Sequence, residues 1–293
     1  MRSDLGQCGL CQEMRVLQES HLLPAALYKL ARDPSRTNPN PVMITRGRAF
    51  TTSHQIADRF LCGECEERFS NGGERYVLGQ CARPSGDFKV RELLEKAIPF
   101  CEDPQFRVFD VAGLLGLRTD EYLCFAASVF WRASARAWSP AGTSRERFPL
   151  GDAYQEQFRL YLLGRAGSPG NGRLLVHIWS DKATDFTTIA PCTSRVDGER
   201  RHKFCIPGIT FILFLGGQVP RRHDGGALNS TQGKFMWLCP WMNDSLFWGI
   251  RQFNQAVCPS GVSASASPRG QLARRSRSSG RRSPCPGPPT SAG

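Results

Sequence analysis

A chain of 293 residues with 40% hydrophobic and 22% charged positions can bury a real core and divide into about two domains. Its 12 cysteines are spread too widely for a disulfide-stapled scaffold, the opening MRSDLGQCGL lacks the apolar stretch of a signal peptide, and the longest apolar run, IPGITFILFLGG from Ile206, is too short to span a bilayer. These features exclude a membrane-spanning protein and lead us to expect a soluble one in a reducing compartment, the bacterial cytoplasm or its equivalent.

The net charge of +12 is uneven. From Ser260 onward there are six arginines and no acid, so the rest of the chain holds 32 basic against 26 acidic residues. The first element in chain order is CGLC, which places Cys8 and Cys11 three positions apart. ESHLLPAALYKLARD follows, with Ser20 and His21 ahead of Pro24, a residue suited to the first turn of a helix that ends near Arg32. LCGECEERF then repeats the knuckle with Cys62 and Cys65. Each C-x-x-C turn delivers two sulfurs to adjacent corners of a tetrahedron, so Cys8, Cys11, Cys62 and Cys65 are expected to bind one zinc ion; a pair of redox dithiols or plain structural cysteines is the alternative.

Beyond this unit, FKVRELLEKAI, DEYLCFAASVFWRASARAW and LGDAYQEQFRLYLLG carry apolar residues at three- and four-residue spacing and read as helices. RLLVHIW, DFTTIAP and HKFCIPGITFILFLGG are rich in β-branched and aromatic residues, interrupted by Gly and Pro, and read as a small antiparallel sheet. The final Ser, Pro, Gly and Arg segment has too little apolar surface to offset its ordering entropy and is expected to be disordered. The expected architecture is therefore α+β, with three parts: a zinc-binding unit over residues 1–82, a helical then β-rich region over 83–258, and a disordered tail over 259–293.

Two cysteine knuckles, a polar-His-aliphatic-x-Pro segment between them, and a Leu-Cys-x-x-Cys closing run together resemble the HNH endonuclease family over roughly residues 8 to 75. The resemblance implies a treble-clef or ββα-metal unit whose zinc holds the fold. It also implies a histidine, here His21, that activates water against a phosphodiester bond. In that family the residue before the histidine and the residue after the last cysteine bind the catalytic divalent ion; these positions are Ser20 and Glu66. An acid usually stands at the first and a histidine at the second, and the asparagine expected before the second knuckle is missing from SHQIADRFLC. Glu66 can still offer an oxygen ligand to magnesium or manganese, and Asp58 or Glu74 are candidates for the missing charge. SVFWRAS further resembles a Ser-x-x-Trp-Arg segment of bacterial HNH-like proteins.

The expected function is divergent HNH-like, metal-dependent hydrolysis of nucleic acid, DNA in particular, with His21 and Glu66 as the catalytic pair. The alternative is a non-catalytic zinc module that binds nucleic acid or protein. Plainer roles stand beside each residue: packing near the knuckle for His21, a helix first turn favoured by the dipole for Glu66 and Glu67, and a solvated basic face or pairing with acids such as Glu121 for Arg132 and Arg136. Trp131 and Trp138 read as core anchors, and the remaining cysteines from Cys81 to Cys258 as buried free thiols.

Overall fold

The computed structural model describes residues 4–30, 32, 39–40, 42–45, 48–51, 55–83, 85–104, 106–138, 150–181, 188–196, 199–216 and 226–239. The tail expected to be disordered, Cys258, His54 and His223 lie outside these residues.

The N-terminal unit is built from strands β1 (Leu5–Gln7), β2 (Met14–His21) and β5 (Ala57–Cys62) in one antiparallel sheet ordered β1-β2-β5. A short helix α1 (Ala25–Leu30) follows β2 directly after Pro24, and a separate hairpin pairs β3 (Val42–Thr45) with β4 (Arg48–Thr51). Helix α2 (Gly63–Phe69) begins immediately after β5, so β2, β5 and α2 form a ββα arrangement. The β2–β5 register slips between Gln18 and Glu19, two residues before His21, with the extra residue, Phe60, on β5; a bulge of this kind bends the strand that carries it.

The chain then continues through a π-helical turn at Ser70–Glu74, kinked where the Gly73 backbone leaves the helical conformation, into α3 (Arg75–Gln80). Next come α4 (Lys89–Lys96), β6 (Cys101–Asp103), β7 (Phe106–Asp110), α5 (Thr119–Ala135) and α6 (Asp152–Leu162). Strands β8 (Arg173–Trp179), β9 (Ile189–Val196), β10 (Glu199–Ile206), β11 (Ile209–Phe214) and β12 (Phe235–Cys239) complete the described elements. The α+β class and the strand-rich C-terminal region are as the sequence leads one to expect. The small antiparallel sheet is not: the sheet has seven strands in the order β6-β7-β12-β8-β11-β10-β9, and β12 lies parallel to β8. Two of its strands, β6 and β7, come from the middle portion expected to be helical. Among the described residues no helix is long and apolar enough to cross a membrane.

Helix α5 is the central packing element. It is apolar nearly all round, as a helix enclosed on every side must be. One side meets the large sheet, where Phe125 lies 5.5 Å from Phe211 and Phe130 lies 5.0 Å from Phe204, ring centre to ring centre. Its other side meets the N-terminal unit, where Trp131 stacks on Phe60 at 5.5 Å and takes Phe69 edge-on at 6.0 Å. Trp131 and Trp138 are buried core residues. Of the remaining described cysteines, Cys81, Cys205 and Cys239 are buried, but Cys101, Cys124 and Cys192 are half-buried, because sheet edges and helix flanks carry them.

The π-helical turn sits hard against α5. A Cβ placed on Gly73 would stand 2.4 Å from the backbone oxygen of Glu121 and 3.0 Å from the backbone nitrogen of Phe125. Backbone atoms cannot rotate away, so Gly73→Ala must push the turn off the helix. We expect a loss of about 1–3 kcal/mol, the usual cost of overpacking, visible as a lower thermal midpoint. A midpoint equal to that of the native protein would mean that the two elements part freely.

Candidate metal centre and the adjoining cleft

The first knuckle is a tight turn after β1. The Cys8 N–H donates to the Glu13 carbonyl at 2.9 Å and the Gln12 N–H returns to the Cys8 carbonyl at 2.9 Å. Gln12 adopts φ 65, the left-handed conformation that the reversal requires. Gly9 lies so close to the Phe60 ring that a Cβ there would come within 2.1 Å of it, which locks this knuckle onto β5. The second knuckle spans the end of β5 and the first turn of α2, and the Cys62 N–H donates to Cys8 Sγ at 3.3 Å. Backbone N–H groups directed at sulfur stabilise thiolate, as metal-binding knuckles require.

All four sulfurs of Cys8, Cys11, Cys62 and Cys65 lie within 4.8 Å of one another, and all but Cys11 are buried. That is the order of spacing imposed by one tetrahedral ion bonded to sulfur at about 2.3 Å. The cluster can therefore hold a metal ion, and among the described residues it is the only such group of three or more ligands. The crowding splits the thiols: Cys8 is pulled down to about 4, chiefly by a hydrogen bond from Cys65, whose own thiol is driven up by the same bond, and burial pushes the Cys11 thiol up.

A cleft of about 450 Å³ opens beside this cluster. His21, Pro24 and Ala25 form one wall at the end of β2. Glu66, Glu67, Ser70, Glu74 and Arg75 form the other, and Arg132 reaches in from α5. Glu66 and Ser70 lie four residues apart on one face of α2 and the turn after it, and Glu74, beyond the non-helical backbone of Gly73, lines the same cleft. His21 is half-buried, with its ring centre 6.4 Å from that of Tyr28.

The two expected catalytic residues, His21 and Glu66, thus line the same cleft. Glu66 is half-buried, and its Oε1 is buried without a hydrogen-bond partner. Burial pushes its carboxyl above the usual range, against the pull of a Ser20 hydrogen bond and the Arg132 charge. Glu67 is exposed at the rim.

Ser20 does not face the cleft opening. It is fully buried, and its Oγ accepts the Leu61 N–H at 2.9 Å. Of the two acids considered for its missing charge, Glu74 reaches the cleft and pairs with Arg132. Asp58 does not line it: Arg136 holds this carboxylate through Nη2 at 2.6 Å and Nε at 3.0 Å.

Arg132 and Arg136 are therefore not a solvated basic face. The expected partner Glu121 pairs instead with Arg118. Arg132 is 1% exposed and Arg136 bridges α5 to β5, while from α6 Arg159 Nη1 donates to the Leu10 carbonyl at 3.0 Å. Three arginines of the later helices clasp the cysteine unit from outside. The sequence signal for Arg132 was a lone cation within the apolar run SVFWRAS, a placement that demands a buried partner. No family model, curated protein or solved structure matches this chain.

Proposed function

We propose that the protein is a divergent HNH-type endonuclease of a reducing cytoplasm, with structural zinc on Cys8, Cys11, Cys62 and Cys65, that hydrolyses phosphodiester bonds of nucleic acid, DNA foremost. One observation carries this reading: His21 and Glu66, distant in sequence, line one open cleft beside a four-cysteine cluster in a ββα arrangement. The imidazole of His21 can take a proton from water and aim the resulting hydroxide at phosphorus. Glu66 is suited to hold magnesium or manganese, because one of its oxygens is buried without a partner and such ions ask few protein ligands, often one or two carboxylates plus substrate phosphate. That ion would supply charge neutralisation at the scissile phosphate. Arg75, exposed at the rim, is placed to meet a neighbouring phosphate.

A second reading has its own support. Ser20 is committed to the protein interior, so the position that normally carries a metal-binding acid offers none, and a zinc module that binds nucleic acid or protein without cutting it is the alternative. The test is nicking of supercoiled plasmid by the zinc-loaded full chain over a titration of magnesium and manganese, with binding measured on the same preparation. We expect cleavage that requires the added ion. Glu66→Gln should raise the ion concentration for half-maximal rate at least about tenfold, the lower end of what perturbing a metal site costs; an unchanged requirement removes Glu66 from the ion. Binding without cleavage under every ion makes the module reading the correct one.

A further inference from the structure

We propose that Arg132 is the positioning residue of the cleft: from the last turn of α5 it fixes the backbone of His21 and the carboxylate of Glu74 with one guanidinium. This inference rests on the assignment of His21 as the general base. Nη1 donates to the His21 carbonyl at 3.0 Å. Nη2 pairs with the Glu74 carboxylate and lies 3.3 Å from Ser128 Oγ, and the guanidinium stands 5.1 Å from the centre of the Phe69 ring.

Burying a charged guanidinium costs several kcal/mol before its partners offset it, and an aliphatic side chain would pack the same space without that cost. What the arginine adds is geometry. His21 forms the last register pair of β2, opposite Ala57, and beyond it the chain leaves the sheet for α1. The bond from Arg132 holds the carbonyl of the His21–Leu22 peptide, whose N–H donates to the Ile56 carbonyl at 2.9 Å, so the peptide beside the imidazole is fixed from both sides at the end of the strand. The same fork neutralises Glu74, so Glu66 is left as the carboxylate of the cleft with a buried unpartnered oxygen. A planar fork holds both partners in fixed relative geometry with donors on separate nitrogens; a lysine ammonium carries its donors on one nitrogen at the end of a flexible stem and lacks that fixed geometry.

Two variants of the full chain separate positioning from mere charge balance. Arg132→Met combined with Glu74→Gln removes both buried charges, so the fold is kept while the His21 anchor is lost. Arg132→Lys keeps the charge and loses the fork. Each is measured for zinc content and thermal midpoint, for kcat and KM of ion-dependent cleavage, and for the Cε1–H signal of His21, assigned by its loss in His21→Ala. We expect both variants to bind zinc and to keep KM within about twofold, with kcat down roughly a hundredfold in the double variant and about tenfold in Arg132→Lys, the scale of a misplaced catalytic group. The single His21 signal should broaden or split in both.

The signal is read whether or not the wild type cleaves, so an inactive wild type overturns the nuclease reading while the positioning role is judged on the signal alone. If the double variant does not fold, Arg132→Lys decides. A sharp, unshifted His21 signal with wild-type kcat in the folded variants overturns the proposal, because charge balance alone would then account for Arg132.

Discussion

Protein purified without chelator should carry one equivalent of zinc, and Cys62→Ser should lose both the metal and the folded N-terminal unit. The four sulfurs crowd within 4.8 Å, and among the described residues the segment they join has a three-stranded sheet, a two-stranded hairpin and two short helices around them. Ligation by four thiolates is worth on the order of 10 kcal/mol in small zinc units, comparable to the whole stability of a typical domain. Cys62 also sits at the junction of β5 and α2; serine keeps its backbone N–H to Cys8, so what the variant removes is one of the four sulfur ligands that tie the two knuckles together. The damage should spread to α5, because Trp131 packs on Phe60 and Phe69. We therefore expect lost zinc by elemental analysis, a fall in thermal midpoint well beyond that of Gly73→Ala, and protease cleavage first within residues 8–62. A wild-type protein free of zinc, or Cys62→Ser with an unchanged midpoint, would remove the structural metal from this account.

The parts of this site that the sequence discloses are those whose chemistry is local. C-x-x-C is a complete instruction for presenting two sulfurs, and two copies need no knowledge of the fold to be paired. The helices are legible for the same reason, since α4, α5 and α6 repeat their apolar residues at a local period. The sheet is less so: β7, with β6 paired to it, joins the sheet by pairing with β12, at the far end of the described chain, and no periodicity announces a partner that distant.

Ser20 shows a different limit. Its position beside His21 suggests a weakened metal ligand, whereas its side chain faces inward and accepts the Leu61 N–H, next to the extra residue, Phe60, that the register slip leaves on β5. Arg132 is the sharpest case. Spacing along the helix suggests a basic face shared with Arg136, but the fold turns it inward to meet His21, 111 residues away. A lone arginine among Phe130, Trp131 and Ala133 already signals burial; which acid meets it depends on the tertiary structure.

His21→Ala should abolish cleavage while leaving fold and zinc content intact, and the structure explains why the substitution is clean. The bond that ties this residue to α5 uses the backbone carbonyl, which alanine retains. The imidazole is half-buried and its ring centre is 6.4 Å from that of Tyr28, so little packing is lost with it. The position lies outside the cysteine cluster, and zinc should stay. What disappears is the group that accepts a proton from the attacking water, and a general base of this kind is typically worth about a hundred- to ten-thousand-fold in rate. Cleavage kinetics under saturating magnesium or manganese should therefore fall by that factor, with substrate binding and thermal midpoint near wild type. If the alanine variant cuts at the wild-type rate, water is activated elsewhere and His21 is a packing residue beside the knuckle. If its midpoint falls as far as that of Cys62→Ser, the imidazole supports the fold, and the rate loss is then no measure of catalysis.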